Sequence, residues 1–370
     1  MYTQFDIAMM RRALDQARLG LYITDPNPRV GCVLVQGETV VGEGFTSPVG
    51  GPHAEINALR NAGAATHGST AYVTLEPCSH HGRTPPCADA LIAAGVRKVI
   101  YALGDPNPQV NGSGRDRLLS AGIDVQSELL SDEAREINRG FFHRMQHNRP
   151  WVTIKVGTSL DGKVALKNGT SQWITSDASR KDVQYQRARS SAVLTGAGTV
   201  LADDPRLTVR AADIDMRGRN PLRVVCDSKL RIQASAALFK EAGSVLVLTT
   251  EIDSAEKEKR AETLMKVRAE VLEVAADPKG GVALDSVLHM LAARACNEVL
   301  VEAGPTLSGR FIERHLIDEL LVYVAPVVLG GEARSMFAVS NIETMGQRWN
   351  FRLHDTTRIG DDIRVSYRRV

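Results

Sequence analysis

His53 and Glu55 stand two residues apart, and Pro77-Cys78 and then Cys87 follow downstream. One imidazole and two thiolates hold a zinc ion with its fourth position left open, whereas a structural zinc takes four protein ligands. A Glu two residues from the ligating His, itself not a ligand, is the acid/base of the zinc deaminases, in which an activated water attacks an amino-bearing ring carbon. Zinc would ionise a water near neutral pH, and Glu55 would carry protons from it to the leaving amine. These residues therefore point to hydrolytic removal of ammonia from a heterocycle.

Two other readings compete. His53 and the cysteines are incidental polar residues, or His80 or His81 completes a structural zinc site. The ordered spacing and the spare carboxylate of Glu55 favour the open, catalytic arrangement. Eight residues separate Cys78 from Cys87, where the commonest deaminase pattern has two. That insert is polar, with Ser79, His80, His81, Arg83 and Thr84. Such a loop beside a zinc suits an anionic substrate tail, and the Arg83 guanidinium matches a phosphate.

These side chains need a scaffold. On a regular helix His53 and Glu55 would point about 200° apart, so they must lie at a helix entrance, which Gly50-Gly51-Pro52 suits. Apolar spacing predicts a helix over 4–20, a hairpin of strands 30–35 and 39–45, and a rigid loop at Asp25-Pro26-Asn27-Pro28. Helices follow at 53–63, 87–95 and 114–121, with strands at 70–75, 97–103 and 123–127. Alternating strands and helices give an α/β layered sheet. The polar segment Gln146–Pro150 closes a first domain, 1–147, and a second spans 148–370. The second alternates again, with strands near 151–157, 192–196, 222–227, 244–249, 297–301, 319–325 and 362–369. Its helices fall near 177–190, 282–295 and 305–315, and 251–280 reads as a helix and then a short strand.

That second half lacks a full dinucleotide fingerprint: Gly196-Ala197-Gly198 follows a strand, but Leu201 stands where the third Gly belongs. Gly304-Pro305-Thr306-Leu307-Ser308-Gly309-Arg310 follows an apolar strand and opens a helix, where exposed backbone N–H groups form an anion site. An ordinary strand–helix turn is the alternative there.

The chain has 370 residues and a net charge of +2, with 43% hydrophobic and 24% charged residues. That balance offers no strong basic field for nucleic acid. No apolar stretch approaches the roughly 20 residues that span a bilayer, and nothing reads as a secretion signal. The five cysteines show no disulfide spacing; Cys32, Cys226 and Cys296 read as reduced core thiols. A cytoplasmic enzyme with no membrane partner is expected.

The motif Glu76-Pro77-Cys78-Ser79-His80-His81-Gly82-Arg83-Thr84-Pro85-Pro86-Cys87, with Asp25-Pro26-Asn27-Pro28-Arg29-Val30-Gly31, resembles the signature of the bifunctional riboflavin-biosynthesis deaminase–reductases. So do Lys155-Val156-Gly157-Thr158-Ser159-Leu160-Asp161-Gly162-Lys163, Ser171-Gln172-Trp173-Ile174-Thr175, Ala202-Asp203-Asp204-Pro205 and Glu302-Ala303-Gly304-Pro305. The resemblance covers nearly the whole chain. It implies a cytidine-deaminase-like three-layer α/β/α domain followed by a dihydrofolate-reductase-like α/β domain. The first would hydrolyse the 2-amino group of a phosphorylated diaminopyrimidinone ribosylamine. The second would use NADPH to reduce the ribosyl chain of the aminouracil product to ribityl.

By motif match His53, Cys78 and Cys87 hold Zn2+, Glu55 shuttles protons and Asn27 binds the pyrimidine, with Ser79, His80, Arg83 and Thr84 on the substrate. The resemblance places cofactor contacts at Gly157, Trp173, Thr199, Asp203, Ser228 and 304–310. It places substrate contacts at Ser171, Arg187, Leu207, Arg210 and Glu302. By residue type Arg187 and Arg210 suit the substrate phosphate as clamps, and Lys155, at the first strand–loop junction, is expected near the reacting sugar. Two alternatives stay open: a nucleoside or tRNA deaminase with an unrelated appendage, and a second domain that binds a nucleotide without turnover. The sequence is compatible with a homo-oligomer.

Overall fold

The computed structural model describes residues 1–79, 86–107 and 111–370. The chain divides into two compact units, Met1–Asn148 and Arg149–Val370, each built on its own main sheet.

The first unit runs α1 (Gln4–Leu19), β1 (Gly31–Gln36), β2 (Thr39–Phe45), α2 (Ala54–Ala62), β3 (Thr70–Val73), α3 (Cys87–Ala93), β4 (Lys98–Tyr101), α4 (Ser113–Ser120), β5 (Asp124–Ser127), α5 (Ser131–Ile137) and α6 (Arg139–His147). Helix α1 starts at a capping box made by Thr3 and Asp6, and its buried stripe is Met10, Ala13, Leu14 and Ala17. Among the described residues the strands order as β2-β1-β3-β4-β5, with β1 antiparallel to both neighbours and β3, β4 and β5 parallel.

Glycines set the layers. A Cβ on Gly31 would lie 1.9 Å from the Ala13 carbonyl oxygen, and one on Gly44 would lie 2.6 Å from the Ala54 carbonyl oxygen. Gly44 pairs with Cys32, and Gly31 is the next residue along β1. Successive residues of a strand face opposite sides, so α1 and α2 cover opposite faces and the unit is a three-layer α/β/α sandwich. Gly42 repeats the close approach, 2.4 Å from the Ala58 carbonyl oxygen. Helix α2 is thus laid on β2 along two turns, and only glycine leaves room for it.

The second unit contains β6 (Trp151–Thr158), β7 (Lys163–Ala165), α7 (Asp177–Arg189), β8 (Ala192–Gly196), α8 (Ala197–Asp203), β9 (Leu222–Cys226), β10 (Val245–Thr249), α9 (Ala255–Lys266), β11 (Ala269–Glu273), α10 (Leu284–Ala293), β12 (Glu298–Val301), α11 (Pro305–Glu313), β13 (Glu319–Val324), β14 (Arg334–Ser335), β15 (Phe351–Ile359) and β16 (Asp362–Arg369). Nine of these strands form one sheet, β11-β10-β9-β8-β12-β6-β13-β16-β15. From β11 to β13 they are parallel, and β16 and β15 close the edge as an antiparallel hairpin. From β6 the chain skips one place to β8 and builds outward, and β12 later fills the gap. The carboxyl ends of β6, β12 and β8 therefore flank the point where strand order reverses, which is where open α/β sheets bind ligands.

Sequence periodicity missed α5, α6, α8, β7, β14 and β15. β15 has mostly exposed side chains, so it lacks the alternation that marks a half-buried strand. α8 starts directly from β8, with no spacer to announce it. No helix among the described residues is long and apolar enough to cross a membrane.

The α2–β2 approach can be tested at Gly44. Gly44→Ala is expected to cost about 1–3 kcal/mol of stability through overpacking, read by chemical denaturation. It should also lower the zinc content of the purified protein, because the start of α2 carries His53.

Candidate functional site

In the first unit three donors converge. His53 caps α2 from an extended backbone conformation, φ −73° and ψ 167°. Cys87 opens α3, and Cys78 follows the end of β3. His53 Nδ1 lies 3.6 Å from Cys78 Sγ and 3.3 Å from Cys87 Sγ, and the three ligand atoms are all within 4.8 Å of one another. The Cys87 backbone N–H donates to Cys78 Sγ at 3.3 Å. That hydrogen bond from the first turn of a helix favours a thiolate.

Protons are unevenly shared here. A hydrogen bond from Cys87, then one from His53, draws the Cys78 thiol down to about 4. Cys87 is pushed well above the ordinary thiol range by its hydrogen bond to Cys78 and by burial. Glu55, only 3% exposed, is raised to about 7 by burial and by the Cys78 charge. Two sulfurs and one imidazole nitrogen, gathered this closely beside a buried carboxyl, fit a zinc ion bound through three protein ligands with Glu55 left outside the set.

Glu76 anchors the segment that leads into Cys78. It is buried, and its Oε1 accepts the Arg115 N–H at 3.1 Å while its Oε2 accepts those of Gly112 at 3.1 Å and Asp105 at 3.4 Å. It ties the segment entering Cys78 to the start of α4. A Cβ on Gly114 would lie 1.9 Å from the Pro77 carbonyl oxygen, so helix and motif meet backbone to backbone.

Asn27, half-buried, lies in the loop before β1, its N–H bonded to the Thr24 carbonyl at 2.9 Å. Two buried residues anchor that loop. The Asn138 side chain accepts from Arg29 N–H at 2.7 Å and donates to the Arg29 carbonyl at 2.9 Å, and Arg29 donates to the Ile137 carbonyl at 2.9 Å. Asn138 belongs to no motif and carries no sequence signal. Ser79 Oγ lies 2.6 Å from Ser113 Oγ. His80, Arg83 and Thr84 fall outside the described residues.

In the second unit Glu302, just past β12, is level with Lys155 of β6. Its carboxylate takes both prongs of Arg187, Nε at 2.5 Å and Nη2 at 3.0 Å, and Lys155 Nζ stands 3.4 Å away. Burial would raise this carboxyl, but the charges of Arg187 and then Lys155 overcome it and hold it down at about 2. Arg187 is itself buried and its Nη1 donates to the Thr208 carbonyl at 3.0 Å, so its fork is engaged inside the protein. Arg210 is exposed and crowded by Arg187 and Arg206, and it lines an open cleft of about 440 Å3 with Arg180, Lys181 and Gln184. The Leu207 side chain is buried, and its backbone has a positive φ of 56°.

The cofactor expectations separate in the same way. Gly304 N–H donates to Thr199 Oγ1 at 3.2 Å, and Leu307 packs where a Cβ on Gly196 would be 3.2 Å away. These contacts bring the starts of α11 and α8 together. Pro305 has no N–H and Ser308 N–H bonds the Gly304 carbonyl, so the helix start offers the N–H groups of Thr306 and Leu307. Ser308 Oγ turns back to the Ala303 carbonyl, Gly309 packs on Ala338, and Arg310 donates to the carbonyls of Lys279 and Gly280. Gly157 of β6 lies against Thr175, Ser171 Oγ is 3.5 Å from Asp203, and Trp173 is exposed. Ser228 lines a separate cleft of about 360 Å3 with Lys229, Thr250, Lys257 and Arg260.

Known proteins match both units. Residues 3–103 match the cytidine and deoxycytidylate deaminase zinc-binding region, and residues 150–365 match the RibD C-terminal domain. The riboflavin biosynthesis protein RibD of Escherichia coli is 44% identical over 363 residues, 96% of each chain. That of Haemophilus influenzae is 43% identical, covering 99% of this chain and 98% of its own. A solved structure of Acinetobacter baumannii RibD aligns with TM-score 0.92 at 42% identity over 99% of both chains. The diaminohydroxyphosphoribosylaminopyrimidine deaminase/5-amino-6-(5-phosphoribosylamino)uracil reductase of Thermotoga maritima aligns with TM-score 0.86 at 32% identity, again over 99% of both.

The Glu302 cluster gives a pH test. Its carboxyl lies at about 2 against an ordinary 4.5, so its stabilisation is complete above pH 4.5 and lost as pH falls toward 2. A depression of this size corresponds to on the order of 3 kcal/mol. Glu302→Gln is expected to unfold more easily at neutral pH and to show a flatter stability profile between pH 4.5 and 2, measured by denaturant titration.

Proposed function

The chain belongs to the RibD family of riboflavin-biosynthesis deaminase–reductases, a bifunctional zinc hydrolase and NADPH-dependent oxidoreductase, and from that premise we propose the substrates and the residue roles. The first unit takes 2,5-diamino-6-(5-phosphoribosylamino)pyrimidin-4(3H)-one and releases its 2-amino group as ammonia, leaving 5-amino-6-(5-phosphoribosylamino)uracil. The second reduces the ribosyl chain of that product to ribityl. The observation that carries the deaminase assignment is the His53–Cys78–Cys87 cluster with Glu55 buried beside it.

His53 Nδ1 and the sulfurs of Cys78 and Cys87 would hold zinc, which when bound lowers the pKa of a water and so supplies a nucleophile at neutral pH. Glu55 performs the proton transfers. Raised to about 7 by burial, its carboxyl takes a proton from the attacking water and passes it to the departing amine. Asn27 hydrogen-bonds the pyrimidine from a loop that Arg29 and Asn138 hold in place. Ser79, with His80, Arg83 and Thr84, meets the phosphate-bearing tail.

In the second unit NADPH, when bound, supplies hydride to C1 of the open-chain sugar or its imine. The chain's own part is placement and charge. The N–H groups of Thr306 and Leu307 face an anionic group at the start of α11. Thr199, Asp203, Trp173 and Gly157 line the same reversal point of the sheet, and Ser228 lies at the second cleft. Glu302 aims Lys155 Nζ at the reacting sugar. Arg210 is the phosphate partner on the cleft, and Arg187 works through Glu302, since its fork is already engaged. Ser171 and the Leu207 backbone complete the substrate contacts. The undivided thiols Cys32, Cys226 and Cys296 carry no disulfide in the structure and suit a cytoplasmic setting.

Glu55→Gln is expected to slow ammonia release by about 10²–10⁴-fold while NADPH oxidation on supplied aminouracil substrate continues unchanged. Loss of both activities in a folded variant would refute separate sites. Removing zinc with a chelator should stop NADPH oxidation when the diaminopyrimidine is supplied and spare it when the deaminated compound is supplied. Ammonia release without NADPH oxidation on either substrate would leave the second unit a silent nucleotide-binding module.

A further inference from the structure

Trp173 is a large aromatic with 69% of its surface exposed, so packing gives it no reason to hold one orientation. The Arg180 side chain covers its ring. The guanidinium carbon of Arg180 lies 4.5 Å from the ring centroid. The same guanidinium donates through Nη1 to the Thr175 carbonyl at 2.6 Å and pairs with Asp177. We propose that Arg180 is a positioning residue for the reductase reaction, clamping Trp173 and Thr175 so that the 171–175 segment is held over the carboxyl end of β6.

The geometry joins that segment to the sheet at several points. The Thr175 side chain occupies the space above Gly157, 3.1 Å from where a Cβ would stand. Ser171 Oγ reaches Asp203 at the end of α8. Arg180 stands in the first turn of α7, and that turn is itself fixed: Asp362 accepts the Ser176 N–H and hydroxyl at 2.8 Å each and the Ser179 hydroxyl at 2.5 Å. The clamp is therefore anchored to β16 at one side and holds a segment spanning β6 and α8 at the other. Arg180 also lines the cleft shared with Arg210. With its N–H groups bonded to Thr175 and Asp177, it acts by holding the protein rather than by gripping a ligand phosphate. Only a planar guanidinium stacks on a ring and donates sideways at once. A lysine ammonium is a point charge that does one or the other.

This inference rests on the reading that Trp173 faces the cofactor, and the experiment separates the two. Arg180→Ala, Arg180→Lys and Trp173→Ala are compared in the full-length protein, with NADPH and the aminouracil substrate. Deamination in the same preparations normalises for active protein. Arg180→Ala should raise KM for NADPH about three- to thirty-fold with a smaller change in kcat, and Arg180→Lys should recover only part of the loss. Acrylamide quenching of Trp173 emission, obtained by difference from Trp173→Ala, should increase in Arg180→Ala, a signature that a general loss of stability checked by thermal unfolding would not give selectively. If Trp173→Ala raises KM for NADPH while Arg180→Ala changes neither KM nor quenching, the role of Arg180 is refuted and the cofactor reading stands. If Trp173→Ala leaves KM unchanged, the cofactor reading fails at this residue and the proposal falls with it.

Discussion

A carboxylate taken out of water must be given partners or a proton. Three of the buried glutamates, Glu55, Glu76 and Glu302, meet that constraint in three ways, and much of the local structure follows from them. Glu76 receives three backbone N–H groups, and in doing so it ties the segment before Cys78 to the start of α4. Glu302 receives Arg187 and Lys155, and its negative charge holds both cations at the reversal point of the large sheet. Glu55 has neither set of partners; burial and the neighbouring thiolate leave its carboxyl near neutrality. A carboxyl poised there can both accept and return a proton.

Backbone proximity is the second constraint. Gly42 and Gly44 let α2 lie on β2, Gly114 lets α4 meet Pro77, and Gly309 lets α11 meet Ala338. At each place a functional segment is held by main-chain contact, which leaves less freedom than contact between flexible side chains. Helix α2 brings His53 and Glu55 to one end of the first sheet, and α11 brings its first N–H groups to the carboxyl end of the second. Both sites thus draw on residues distant in sequence that strand order and helix packing deliver to one place.

Much of the site was legible in the residues themselves. A His-x-Glu step, a Pro-Cys and a second Cys carry ligand chemistry in their side-chain types, and their order survives without any fold. The parallel strands were legible as apolar runs, and the requirement that His53 lie at a helix entrance followed from helix geometry alone; the structure has it as the residue that caps α2. What stayed hidden has a physical reason in each case. Asn138 works by side-chain bonds to a backbone 109 positions away, and no spacing announces such a pair. β15 shows no hydrophobic alternation because its side chains are largely exposed. A guanidinium matches phosphate by type alone, and only the fold shows that the fork of Arg187 meets Glu302, 115 positions on.

The sequence by itself determined which chemistry is available: soft ligands for zinc, a carboxyl beside them, a glycine-opened helix after an apolar strand, and two α/β units. Side-chain type decides those properties before any contact forms. The tertiary structure alone decided how each charged group is used. Whether an arginine grips a phosphate or another side chain, and whether a glutamate keeps its proton, depends on burial and on neighbours that meet only when strands β6, β8 and β12, or helices α2 and α4, are packed together.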